Sequence, residues 1–172
     1  MHSNNARTAT LNDGKRVLIV EDDEDVARAN KRALERYGWE VDIAADVETA
    51  SAKLVAQRAD VVLCDINLPG QSGVTLLDFV RLCDIDVPVI LVTGYPSIQT
   101  AIDAVELGAS EYLVKPIAPD VLHARLERAC DQHRARNERE QGQHKGHDAR
   151  GPGRERLTCQ QRREGQEGEA KY

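Results

Sequence analysis

The sequence predicts an α/β fold in which helices cover both faces of a parallel sheet. Between residues 17 and 130, short apolar runs alternate five times with segments whose apolar residues recur every three or four positions. Strand–helix–strand connections of this kind are right-handed, and they make neighbouring strands parallel. The middle run, Val61–Cys64, contains no polar residue, which is typical of a strand that is buried on both faces.

Each element follows from a local pattern. The predicted strands are residues 17–20, 41–44, 61–65, 89–92 and 112–114. Asp46 and Ser72 are predicted helix N-caps, because their side chains can accept hydrogen bonds from the first helical turn. The helix residues predicted to face the sheet are Val26, Ala29, Ala33, Leu34, Tyr37, Val47, Ala50, Leu54, Leu76, Leu77, Val80, Ile98, Ala101, Ile102, Val105, Leu122, Leu126 and Ala129. Five strands favour the doubly wound, flavodoxin-like order 2-1-3-4-5.

Three regions differ in composition. Residues 1–14 are polar and show no periodicity, which predicts a flexible leader. Residues 15–131 contain all the predicted strands and helices and form the predicted domain. Residues 132–172 are rich in Gln, Arg, Glu, Gly and His, with Leu157 as their one large aliphatic residue. This tail is predicted to be disordered, with the fifth helix extending to about residue 140.

Composition excludes several classes of function. The formal net charge is −6, which argues against a chain that binds nucleic acid directly through its electrostatic field. No apolar run reaches the roughly 18 residues that a membrane-spanning helix needs, and no hydrophobic signal segment begins the sequence. A cytoplasmic protein is therefore expected. The cysteines lack CxxC spacing and are expected to be reduced thiols; they are Cys64, Cys83, Cys130 and Cys159.

Charged and hydroxyl side chains follow the predicted strands at their carboxyl ends, where open α/β sheets bind ligands. Asp22 and Asp23 follow strand 1, Asp65 ends strand 3, Thr93 follows strand 4 and Lys115 follows strand 5. Three converging carboxylates need a counter-charge, which Mg²⁺ would supply. The hydroxyl and the ammonium could hold phosphoryl oxygens, and one carboxylate could form an aspartyl phosphate. Taken singly, each residue also fits an ordinary role in a solvated loop or a helix N-terminus.

Four motifs, in this order, resemble the receiver domain of two-component response regulators: Leu18–Asp23, Val62–Pro69, Val92–Gly94 and Tyr112–Pro116. The resemblance covers residues 17–130. It implies the flavodoxin-like fold and the transfer of a phosphoryl group to Asp65 from a phosphohistidine on a sensor histidine kinase or a histidine phosphotransfer protein. The chain would then be a signalling switch that catalyses only its own phosphorylation and dephosphorylation.

The resemblance also implies a metal site. Mg²⁺ would be bound by Asp23, Asp65 and the main-chain carbonyl of Asn67. Asp22 would assist, partly through water. Phosphorylation of Asp65 would depend on this ion.

A switch is implied for the other side of the site. Lys115 would pair with the phosphoryl oxygens, and Thr93 would donate its hydroxyl to one of them. Tyr112 would then turn inward and reshape the surface formed by helix 4, strand 5 and helix 5, which would dock a partner or a second copy of the chain. The Lys115–Pro116 peptide is expected to be cis.

Three other functions remain open. A phosphatase of the haloacid-dehalogenase type also uses an Asp nucleophile and Mg²⁺, but it normally has a second Asp where this chain has Asn67. A flavin-binding module would need a Ser/Thr/Gly-rich loop after strand 1, and the loop here is acidic. An adaptor that works without phosphorylation is disfavoured because every active-site residue type is present.

Overall fold

The computed structural model describes residues 14–144, the last three by their main chain only. Strands and helices alternate along the chain in the order β1 (Arg16–Val20), α1 (Glu24–Glu35), β2 (Glu40–Ala44), α2 (Val47–Ala56), β3 (Val61–Asp65), α3 (Gly73–Leu82), β4 (Val89–Thr93), α4 (Ile98–Glu106), β5 (Glu111–Val114) and α5 (Pro119–His144). All neighbouring strands are parallel, in the order β2-β1-β3-β4-β5. The predicted fold class and strand order are confirmed.

Two apolar layers enclose the sheet. One layer joins the sheet to α2, α3 and α4, and the other joins it to α1 and α5. The central strands β3 and β4 are buried along their whole length, as their uninterrupted apolar runs predict. The predicted caps Asp46 and Ser72 accept hydrogen bonds from the amides of Thr49 and Val74, respectively. Within residues 14–144, no helix combines the length and the apolar character that crossing a membrane requires.

The predicted inner face of α4 is wrong. Ile98 is 83 % exposed, Ile102 is 44 % exposed and Val105 is 79 % exposed, whereas Ala104 is the buried residue of this helix. The exposed residues and Ala104 both have the spacing of a helix face, and Ala104 is the residue of this helix that belongs to the buried apolar layer. The larger apolar side chains of α4 therefore form a surface stripe.

The inner face of α1 is also shifted from the prediction. Ala27 and Leu34 are its buried residues, while Val26 and Ala29 are exposed. Trp39, which follows the helix, is 3 % exposed and fills the same layer. Its indole Nε1 donates to Nδ1 of His123 in α5 at 3.0 Å.

Helix α5 extends through Gly142 to His144, beyond the expected end near residue 140. The carboxylate of Asp86, which lies before β4, contacts the helix ahead of this extension: it hydrogen-bonds to Nε2 of His133 at 2.6 Å and accepts from Nδ2 of Asn137 at 2.5 Å. Such tertiary contacts are not visible in the sequence pattern. The predicted disorder of the leader and of the tail falls, apart from residue 14 and residues 132–144, outside the described residues.

The expectation of reduced cysteines is confirmed for two residues and wrong for a third. Cys64 and Cys130 are free and buried. Cys83, the partly exposed C-cap residue of α3, is disulfide-bonded. Cys159 lies outside the described residues.

Candidate active site

The carboxyl edge of the sheet brings three charged side chains together. Asp65 is the last residue of β3, Glu21 directly follows β1 and Lys115 directly follows β5. Val20 pairs with Cys64, so the next residues in register are Glu21 and Asp65. Because side chains at equivalent positions of neighbouring parallel strands share a face, these two carboxylates lie on the same side of the sheet.

Lys115 bridges the two carboxylates. Its Nζ donates to Oδ2 of Asp65 in a short hydrogen bond, and it donates to Oε2 of Glu21 at 2.7 Å. Glu21 is 6 % exposed and Asp65 is 7 % exposed, so both acids depend on this ammonium for their counter-charge. Oδ1 of Asp65 accepts from the main-chain amide of Asn67 at 2.8 Å, which fixes the orientation of the carboxylate. The Lys115–Pro116 peptide is cis, as expected.

The pKa shifts follow from this arrangement. Burial raises the pKa of the Glu21 carboxyl above its ordinary value of 4.5, although the hydrogen bond from Lys115 opposes the shift. Burial would lower the pKa of Lys115, but hydrogen bonds to Asp65 and Glu21 outweigh it, and that pKa lies above its ordinary value of 10.5. The lysine therefore keeps its charge at neutral pH.

The raised pKa of Glu21 predicts a pH-dependent stability. A group whose pKa is higher in the folded state binds its proton more tightly there, so its contribution to stability is fully present below the unfolded value of 4.5 and is lost as pH rises through the folded value. In buffer without Mg²⁺, the free energy of unfolding of wild type minus that of Glu21→Gln should therefore increase as pH falls from 8 towards about 4.5. Urea titrations at several pH values measure this difference. Glu48→Gln, which removes an exposed glutamate of α2, controls for the loss of one charge, and a pH-independent difference for Glu21→Gln would contradict the prediction.

The acid pair predicted from the sequence is placed differently. Asp22 and Asp23 are exposed, and Asp23 is the N-cap of α1, where its Oδ1 accepts from the amides of Asp25 and Val26 at 2.9 and 3.1 Å. Among residues 14–144, no three His, Cys, Asp or Glu side chains are grouped so that they could hold a metal ion. The structure therefore does not bring Asp22 and Asp23 together with Asp65 in one group, because the strand register places Glu21 beside Asp65 instead; the predicted metal ligands stay a prediction.

Glu21 is the site residue that the sequence interpretation missed. Its position in the sequence groups it with the acidic residues Asp22–Asp25, directly after the four apolar residues of β1. Counting from the first apolar residue of β1 and of β3 aligns Val17 with Val61 and Glu21 with Asp65, which is the observed register. That alignment is the feature of the sequence from which the position of Glu21 beside Asp65 can be predicted.

Thr93 lies close to the charged group but is held by other partners. It is fully buried at the end of β4, and its hydroxyl donates to Oδ1 of Asn67 at 2.9 Å. Oγ1 of Thr93 also accepts from the main-chain amide of Tyr95 at 3.0 Å. Tyr112, on β5, is half-buried, and its hydroxyl hydrogen-bonds to Oγ1 of Thr100 in α4 at 2.8 Å. The sequence predicted both residues for this edge, but not these hydrogen bonds.

Magnesium is usually bound by only one or two carboxylates together with several waters, so a site here does not need the three-residue group that residues 14–144 lack. The carboxylates of Glu21 and Asp65 meet one ammonium, and Asp22 and the exposed Asn67 lie at the adjoining turns. Carboxylate and carbonyl oxygens, with water, are the ligands that Mg²⁺ prefers. The donor set therefore fits magnesium in its chemistry.

An apolar cleft with a volume of about 250 Å³ opens beside Lys115. It lies between α1 and the loop that joins β5 to α5, and its walls include Val26, Pro116, Ile117 and Leu122. A molecule that approaches Asp65 past Lys115 would contact this surface.

Comparisons with known proteins agree on one family. The profile of the response regulator receiver domain matches residues 17–127. The C4-dicarboxylate transport transcriptional regulatory protein DctD of Rhizobium meliloti is 36 % identical over 118 residues, which are 69 % of this chain and 26 % of that protein. The chain spans about a quarter to a half of the length of the curated relatives it matches.

Solved structures give the same result. A response regulator receiver domain protein (CheY-like) from Methanospirillum hungatei JF-1 has a TM-score of 0.68 and 33 % identity, over 71 % of this chain and 98 % of that one. The beryllofluoride-activated NtrC4 receiver domain dimer has a TM-score of 0.65 and 30 % identity, over 69 % of this chain and 98 % of that one.

Proposed function

The chain belongs to the response regulator receiver family, and from this premise we propose that Asp65 is the residue on which it accepts a phosphoryl group. Receiver domains of two-component response regulators are signalling domains that accept phosphoryl groups on an aspartate. The observation that supports Asp65 is its burial at the carboxyl end of β3 with its carboxylate against the Lys115 ammonium. A phosphatase of the haloacid-dehalogenase type is not favoured, because the relatives that match are response regulators.

In the proposed reaction, a carboxylate oxygen of Asp65 attacks the phosphorus of a phosphohistidine on a sensor histidine kinase or a histidine phosphotransfer protein. The O–P bond forms as the P–N bond breaks, and the imidazole leaves with the bonding electrons and takes up a proton from solvent. Lys115, already in contact with Asp65, offsets the negative charge of the phosphoryl oxygens. Hydrolysis of the acyl phosphate restores the carboxylate, so the domain catalyses only reactions of its own side chain.

Magnesium is the proposed cofactor. Asp65, Asp22, Glu21 and the main-chain carbonyl of Asn67 would hold it, and Asp23 is left to cap α1. When bound, the ion would offset the charge of the incoming phosphoryl group. Glu21 replaces Asp23 in this proposal because it is the acid in register with Asp65.

The switch would begin at Thr93. To donate to a phosphoryl oxygen, its hydroxyl must release Oδ1 of Asn67. Tyr112 would then turn towards the space that Thr93 leaves. The surface of α4, β5 and α5, with Ile98, Val105 and Val121 exposed, is the proposed site for a protein partner or for a second copy of the chain. Contact with the kinase is proposed at the apolar cleft beside Lys115.

Phosphorylation of Asp65 can be tested by intact mass spectrometry. Incubation of the wild-type chain with phosphoramidate and Mg²⁺ should add the mass of one phosphoryl group, and omission of Mg²⁺ should abolish the addition. Asp65→Asn should show no addition, because an amide cannot form the acyl phosphate, whereas Asp23→Asn should still be phosphorylated. Equal labelling of Asp65→Asn and wild type would overturn the proposal, and turnover of phosphate esters would favour a phosphatase.

A further inference from the structure

A network of hydroxyl groups links Tyr112 to the first turn of α4. Thr100 occupies the third position of this helix, and its Oγ1 lies 2.8 Å from the Tyr112 hydroxyl and 3.1 Å from the main-chain oxygen of the N-cap residue Ser97. The Ser97 hydroxyl in turn accepts from the Thr100 amide at 3.1 Å. Oγ1 of Thr100 also lies 2.9 Å from the Ser97 hydroxyl. Because Thr100 has a single hydroxyl proton, the Tyr112 hydroxyl donates to Thr100 when that proton goes to either oxygen of Ser97.

The other end of α4 is held by a different group. The guanidinium of Arg81, in α3, donates to the main-chain oxygens of Leu107 and Gly108 at 3.3 and 2.9 Å, and to that of Val87 at 3.2 Å. These bonds fasten the last turn of α4 to α3 and to the start of β4. Gly108, with φ +70°, ends the helix, and the amide of Ala109 closes it by donating to Ala104 at 2.8 Å.

Apolar packing contributes little to the position of α4. Ala104 is its buried residue, while Ile98 at the first turn and Val105 at the last are about four-fifths exposed. A helix that buries so little apolar surface has a low free energy of local unfolding. Its position therefore depends on the polar contacts at its two ends.

We propose that the Thr100–Tyr112 hydrogen bond holds the first turn of α4 in the unphosphorylated state, and that α4 pivots about its Arg81-bound end when Tyr112 leaves. The proposal rests on the proposed function, because phosphorylation supplies the reason for Tyr112 to move. It adds Thr100 as the positioning residue that passes this movement to α4. The pivot moves Ile98 more than Val105, so the exposed apolar stripe changes shape mainly at its N-terminal end.

Amide hydrogen exchange, measured by NMR on the unphosphorylated chain, tests the bond directly. Thr100→Val keeps the shape of the side chain and removes the hydroxyl. The amide of Ala101, which donates to Ser97 at 3.1 Å, should exchange about threefold to tenfold faster, the factor that one net hydrogen bond contributes to an equilibrium. The amide of Ala109, at the Arg81-bound end, should keep its wild-type rate.

Two further variants separate the effect of the Thr100–Tyr112 hydrogen bond from the effect of the Ser97 helix cap. Thr75→Val is the matched control, because Thr75 holds the same third position in α3, is exposed and has no side-chain hydrogen bond within the described residues. It should leave exchange in α4 unchanged. Tyr112→Phe removes the other partner of the same hydrogen bond and leaves the contacts between Thr100 and Ser97 in place. It should speed up exchange of the Ala101 amide as Thr100→Val does.

The outcomes discriminate between the alternatives. Three results would each overturn the proposal. In the first, the Ala101 amide of Thr100→Val exchanges at the wild-type rate, and in the second, the amides of Ala101 and Ala109 are accelerated equally in that variant. In the third, Thr100→Val accelerates exchange at Ala101 but Tyr112→Phe does not. Beryllofluoride with Mg²⁺, added to wild type, should accelerate Ala101 and add little in Thr100→Val. If the Asp65 amide signal of the wild-type chain does not respond to beryllofluoride, the result counts against the proposed function. The comparison of variants without beryllofluoride tests only the Thr100–Tyr112 hydrogen bond.

Discussion

Lys115→Met is expected to lower the free energy of unfolding of the metal-free chain by about 2–4 kcal/mol at pH 7. Methionine keeps most of the apolar stem but removes the ammonium that contacts Asp65 and Glu21. Two buried carboxylates would then face each other without a counter-charge, and such an uncompensated charge is costly. The expected loss lies towards the lower end of the range for buried pairs because the Lys115 side chain is 30 % exposed. Urea unfolding in buffer without Mg²⁺ measures it.

The same substitution should slow phosphorylation of Asp65 by phosphoramidate about a hundredfold or more, since one group that stabilises the transition-state charge is lost. Lys53→Met is the matched control, because the Lys53 ammonium donates to the main-chain oxygen of Ile43. It should cost only the roughly 1 kcal/mol of a single hydrogen bond and leave phosphorylation unchanged. Adding Glu21→Gln to Lys115→Met should restore part of the stability. A Lys115→Met chain that is as stable as wild type, or a double variant that is less stable than the single one, would argue against the charge arrangement described above.

The sequence predicts that the site lies at the carboxyl edge of the sheet, but it does not identify every side chain that meets there. Asp65, Thr93 and Lys115 end or follow strands whose apolar runs are unambiguous, and all three lie where those runs place them. The sequence names Asp22 and Asp23 as the acids that follow β1 and leaves out Glu21, because a run of five acidic residues does not show which of them lies beside β3. Pairing of β1 with β3, a long-range feature, is what selects Glu21 and leaves Asp23 to the cap of α1.

The helices likewise have features that the local sequence pattern predicts and others that depend on tertiary contacts. For α2 and α3, one apolar face dominates, and every residue predicted to face the sheet is buried. For α4, Ile98, Ile102 and Val105 suggest one face, whereas the buried residue is Ala104. Hydropathy alone cannot separate an apolar face that is buried from one that stays exposed. Helix α5 likewise forms hydrogen bonds to Asp86, which is distant in sequence.

Gly73→Ala is expected to destabilise the domain by about 3 kcal/mol or more, at the upper end of the range for overpacking. A Cβ on Gly73 would lie 2.2 Å from the main-chain oxygen of Asp65 and 2.8 Å from Sγ of Cys64. The nearest atom belongs to the backbone, so no side-chain rotation relieves the overlap. Because the amide of Gly73 donates to the main-chain oxygen of Ile66 at 3.0 Å, the start of α3 cannot retreat without losing that bond.

The displaced backbone carries the carboxylate of Asp65, so phosphorylation should slow along with the loss of stability. Gly94→Ala is the matched control: Gly94 directly follows Thr93 at the same edge, and a Cβ there would meet nothing within 4 Å. That substitution should be neutral or stabilise by up to about 1 kcal/mol, because alanine restricts the unfolded chain more than glycine does. Urea unfolding and phosphorylation rates of the two variants measure the contrast. If Gly73→Ala behaved like Gly94→Ala in both measurements, the close contact between α3 and the end of β3 would not be what positions Asp65.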